Sequence, residues 1–132
     1  GINGLQVALC SERINEFELK TIQDFWVSVQ ATVVITTPED HDKDVIYSQA
    51  FTYSLARIIN RTNLPEVKLK TKSYIDVTEV AELSYNDSDQ LFEDMLMYNP
   101  NLKTMKLKLT EASKQTLDQI DQLISLQHNL IG

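Results

Sequence analysis

The chain has 132 residues, of which 42% are hydrophobic and 23% charged, enough to bury a core and too apolar for wholesale disorder. With 19 acids against 12 bases its net charge is -7, which argues against a grip on nucleic acid, because phosphate affinity comes from lysine and arginine. A single cysteine, Cys10, excludes an intrachain disulfide, and only three glycines and three prolines favour long elements over a turn-rich sandwich.

Residues 1–20 place Leu5, Leu9, Ile14 and Phe17 at scattered spacing, compatible with a helix. Over 21–37 two periods coexist. Val27, Val29, Ala31, Val33 and Ile35 alternate as in a strand, while Ile22, Phe25, Trp26, Val29 and Val33 share one helical face. Asp40, Asp42 and Asp44 imitate the start of a calcium loop. Val45 then stands where its glycine belongs and Phe51 where its glutamate belongs, so the acids read as the start of a helix. That helix covers 44–62, with Tyr47, Ala50, Phe51, Leu55, Ile58 and Ile59 as its buried face and Arg57 and Arg61 near its C-terminal end.

Leu64-Pro65 stops the helix. Residues 67–72 and 105–109 each alternate apolar residues with lysine and are expected to pair as antiparallel strands. Between them, Asp76 caps a short helix with Val77, Val80 and Ala81 inward. The turn Asn86-Asp87-Ser88 then caps a second one, which buries Leu91, Phe92, Met95 and Leu96 and ends at Asn99-Pro100. Tyr85 is expected in that small core with Val80, Ala81, Phe92 and Leu96, and Asn99 on a backbone bond across its turn. Thr110 caps a last helix over 111–130, whose stripe of Leu117, Ile120, Leu123, Ile124, Leu130 and Ile131 docks on the same domain or on another chain.

No catalytic constellation is visible. His41 and His128 lie far apart in sequence, no glycine-rich loop could cradle a phosphate, and no Cys or His set has metal spacing. No cofactor, no metal and no enzymatic activity are expected. No apolar run approaches the roughly 18 residues of a membrane span, so no membrane partner is expected either.

The order Val80-Ala81, Tyr85-Asn86-Asp87-Ser88, Met95-Leu96 and Asn99-Pro100 resembles the LysM-like modules of phage tail proteins. With Leu64-Pro65 upstream, it is similar to the C-terminal part of the Mu-like phage DNA circularisation family. Asn86 stands where that family usually has glycine, and its downstream glycine turn is missing. The resemblance implies a helix over 21–37 and a piece of a larger protein. The fold it implies is mainly α (α+β), with a helical part over 1–63, a LysM-like β-α-α-β unit over 64–109 and a C-terminal helix over 110–132. Leu64, Pro65, Val80, Ala81, Tyr85, Asn86, Asp87, Asn99 and Pro100 would be its structural motif. The function implied is a non-enzymatic module of a contractile phage tail. It would sit in the virion tail, or in the host cytoplasm during assembly. Its partners would be tail or baseplate proteins, with self-association through the last helix. Peptidoglycan binding by the LysM-like unit, or an unrelated helical adaptor, is the alternative.

Overall fold

The computed structural model describes residues 3–131 and is mainly helical, with one two-stranded parallel sheet. The chain divides into two compact units between Val45 and Ile46.

The first unit runs β1 (Gln6–Cys10), α1 (Glu16–Ser28), β2 (Thr32–Thr36), α2 (Pro38–Val45). The strands pair in parallel, Gln6 with Thr32 through Cys10 with Thr36, so a crossover must join them, and α1 is that crossover. Asn15 opens α1 with a capping box. Its side chain accepts from the Glu18 N–H at 2.8 Å while the Asn15 N–H donates to the Glu18 carboxylate at 3.1 Å. At the other end Gln30 adopts φ +66°. The Gln30 N–H donates to Val27 and the Ala31 N–H to Trp26, both at 3.0 Å, a Schellman arrangement made here without glycine. That stop separates the two periods seen over 21–37. The helical face ends at Ser28, and the β-branched run Thr32–Thr36 becomes strand. The implied single helix over 21–37 is thereby corrected. So is the helical reading of 1–20 over Gln6–Cys10, while residues 1, 2 and 132 lie outside the described ones.

The second unit begins with a π-helical segment, Ile46–Phe51, and continues as α3 (Thr52–Arg61), α4 (Lys72–Glu82), α5 (Asp89–Met97) and α6 (Leu102–Ile131). Ile46, Ala50 and Met105 form its buried core, with Phe51, Leu96 and Leu102 packed against them. The wider π turn changes the phase of the helix. Ile46 and Ala50 face inward at zero exposure. Tyr47, expected on the buried face, is turned outward under the ammonium of Lys108, 5.4 Å from its ring centre.

The β-α-α-β unit is not formed. Residues 62–71 carry no strand, and α4 is capped by Thr71, not Asp76; the Thr71 hydroxyl accepts from the Tyr74 N–H at 3.2 Å. Asp76 instead pairs with Lys72 one turn away. Residues 105–109 are helical, part of a 30-residue α6 that starts before Thr110. Leucine, lysine and methionine are strong helix formers, and with no strand beside them their alternation has no ladder to join. The second short helix does begin at Ser88, whose hydroxyl accepts from the Leu91 N–H at 3.1 Å. Beyond Leu109 every described residue of α6 is exposed, so the apolar stripe is not buried among the described residues, although Leu117 lines a shallow pocket with Ile58 of α3.

Candidate functional site on the polar face of α3

Tyr53, Arg57 and Asn60 follow one another at helical spacing along a single face of α3. All three meet the segment that runs from the end of α4 into α5. Arg57 is the centre of the set. Its Nη1 donates to Asp89 Oδ1 at 2.7 Å and its Nη2 to the Ser88 carbonyl at 3.4 Å. Its guanidinium lies 4.3 Å from the centre of the Phe92 ring, within cation–π range. The arginine side chain is 13% exposed and the aspartate 86%, so the pair is buried on one side and solvated on the other. Arg57 Nε is buried with no partner among the described residues.

One turn before Arg57, burial pushes the Tyr53 phenol above its ordinary range, and the neighbouring Asp87 carboxylate adds to the shift by its charge and by accepting from the phenol. One turn after it, the Asn60 amide donates to the Ala81 carbonyl at 2.9 Å and to the Ser84 hydroxyl. The α4–α5 connection is thus held at three levels by one helix face. Phenol, guanidinium and amide each meet an acceptor there, and two of those acceptors flank the Ser88 cap. Chemically this is a positioning device. It contains no nucleophile with a base beside it, and no group of metal ligands occurs among the described residues.

The motif residues singled out from sequence fall around this face without forming one site. Leu64 and Pro65 are exposed in the loop after α3. Val80 is half-buried and Ala81 buried on α4. Asn86 is exposed and Asp87 half-buried beside Tyr53. Tyr85, expected in the core, is 74% exposed. Asn99 accepts from the Asn101 N–H at 2.9 Å and from the Asn101 side chain at 3.1 Å, and Pro100 between them is exposed. Leu64, Ala81 and Tyr85 do line one cavity, with Asn60. Arg57, expected near the helix end as a partner of the dipole, sits instead at the centre of a set with Tyr53 and Asn60, which carry no motif in the sequence. The available signal was three polar residues at positions 53, 57 and 60, on a helix that also has an apolar face.

These features define a mainly helical domain preceded by a small parallel β-α-β unit. Residues 58–129, more than half of the chain, match the family described as TYRAAT1-like, C-terminal domain, and the chain belongs to that family. It is similar to arogenate dehydrogenase 1, chloroplastic, of Arabidopsis thaliana, at 27% identity over 126 residues. It is also similar to arogenate dehydrogenase 2, chloroplastic, of the same plant, at 26% over 88 residues. Those alignments cover 92% and 64% of this chain but 20% and 25% of the relatives, so the chain spans about a fifth to a quarter of their length. Among solved structures, the arogenate dehydrogenase of Synechocystis shares the fold. The TM-score is 0.57 at 20% identity, covering 93% of this chain and 45% of that one.

The phage reading is corrected by these findings. The family is not that of the DNA circularisation proteins, and the tail and baseplate partners and the virion location fall with it. The expectation of a non-enzymatic module is corrected as well, because the curated relatives are dehydrogenases. Among the described residues no helix is long and apolar enough to cross a membrane.

Proposed function

We propose that this chain is the C-terminal part of an enzyme that oxidises arogenate. The observation that carries the proposal is the alignment with arogenate dehydrogenase 1 over 92% of the chain. The first unit supports it physically. A parallel pair of strands is rarely stable alone, and parallel sheets normally have both faces covered. Here Val34 and Ile35 of β2 and Phe17 and Phe25 of α1 are exposed, as when a larger parallel sheet is cut near its edge. In this reading the second unit is the helical part of the enzyme, and the Tyr53–Arg57–Asn60 face fixes its α4–α5 connection.

A dehydrogenase needs a hydride acceptor. The 132 residues contain no glycine-rich loop that could cradle a dinucleotide's phosphates. The test is a steady-state assay of the purified parent protein, with arogenate and a nicotinamide dinucleotide. Arogenate-dependent reduction of the nucleotide is expected. A folded parent protein that leaves arogenate unchanged with either nicotinamide nucleotide refutes the proposal.

A further inference from the structure

A cavity of about 280 Å³ lies between the C-terminal end of α3 and one face of α4, just under the range of about 300–1,000 Å³ usual for small-molecule sites. Tyr74, Glu82 and Tyr85 line it from the α4 side, and Asn60, Asn63 and Leu64 from the α3 side. Asn63 has φ +50°, which turns the chain there, and Leu64 after it also lines the cavity.

The charge of this lining is one-sided. It contains a carboxylate and no lysine, arginine or histidine. Glu82 has no ion-pair partner among the described residues. The Asn60 amide nitrogen faces the Ala81 carbonyl, which can only accept, and this fixes the orientation of the amide. Its oxygen is left without a donor among the described residues. Tyr85 offers an exposed ring, and Tyr74 makes only a long donation, 3.5 Å, to the Pro65 carbonyl. Acceptors and aromatic side chains therefore stand together with no cationic side chain in the lining. An anion would meet the Glu82 charge unopposed. A cation gains from the carboxylate, from the amide oxygen and from the two ring faces.

We propose that this cavity binds a small organic cation with an apolar body, its ammonium against Glu82 and Asn60 and its hydrocarbon part against Tyr74, Tyr85 and Leu64. The inference stands on this cavity alone and does not depend on the arogenate reading. Benzylamine is the probe, with benzyl alcohol and benzoate as neutral and anionic counterparts, titrated into the purified parent protein at pH 7. The readouts are calorimetry and the NMR shift of the Asn60 side-chain amide. Benzylamine should bind saturably with a dissociation constant on the order of 1 mM, ordinary for so small a ligand. Benzyl alcohol should bind more weakly and benzoate not at all. Glu82→Gln should weaken benzylamine about fivefold, the size expected for a partly solvated ion pair, and Tyr85→Ala should weaken it as well. Both positions are exposed, so both variants should keep the parent's melting temperature. Absence of saturable benzylamine binding overturns the proposal. So does benzoate binding as tightly as benzylamine, or an unchanged affinity in Glu82→Gln.

Discussion

Arg57 offers the sharpest test of how the helical unit is held together, because its contacts differ in kind and can be separated. In Arg57→Ala the chain loses about two buried methylenes of the stem, about 1.6 kcal/mol at the usual value per group. The stacking on Phe92, 4.3 Å away, contributes about 1 kcal/mol more. The bond to Asp89 counts for little, about 0.5 kcal/mol, because the aspartate is 86% exposed and salt screens it. Against these losses, removing the unpartnered Nε relieves a desolvation penalty of about 1 kcal/mol. The net cost is about 2 kcal/mol. Arg57→Met keeps the stem and removes the buried Nε, and should cost less than about 1 kcal/mol on the same accounting. Asp89→Asn should cost about 0.5 kcal/mol. Urea denaturation followed by far-ultraviolet circular dichroism reads all three. Tryptophan fluorescence would mislead, since the only tryptophan, Trp26, lies in the first unit. If Asp89→Asn costs as much as Arg57→Ala, or if Arg57→Met is no better than the alanine variant, the clamp is electrostatic and the reasoning is refuted.

Tyr53 predicts a pH dependence. Its phenol is raised in the folded state by burial first and by Asp87 second, so the folded form holds the proton more tightly than the unfolded one. Stability from this source is fully present below pH 10 and is lost as pH rises from there through the raised folded value. Tyr53→Phe should flatten the decline in denaturation midpoint above pH 10, and an identical decline in the variant would count against it. Ile46→Ala, at zero exposure beside Ala50 and Met105, should cost about 2–5 kcal/mol; a loss under about 1 kcal/mol in urea titration would mean the π segment is not the core. Tyr85→Ala should change stability by less than about 0.5 kcal/mol, as at other exposed positions away from special features. A large fall in its melting temperature would restore Tyr85 to the core.

Much of the local punctuation was readable from residue chemistry. Ser88 caps α5 because a hydroxyl there can accept from a free N–H of the first turn, and that requires no distant partner. The mainly helical character is local in the same way, resting on few turn residues, whereas α3 ends at Thr62 and Asn63, which takes φ +50°, before the expected stop at Leu64-Pro65. The caps expected at Asp76 and Thr110 failed together with the strands they were to follow, and those strands depended on partners. Alternation over 67–72 and 105–109 is a necessary sign of a strand, but a strand exists only when a ladder forms. The tertiary structure provides none, so the first stretch is left irregular but for Lys72, the first residue of α4, and the second joins α6. The pair that did form, β1 with β2, needed α1 to bring together segments 26 residues apart in sequence, and only one of them showed alternation. The π turn decided which side of the long helix is buried, exchanging Tyr47 for Ile46, and a 3.6-residue period cannot reveal such a change of phase. Tyr53, Arg57 and Asn60 carry no motif as residues; they became a set when α3 was laid against the α4–α5 connection, which only packing could bring about.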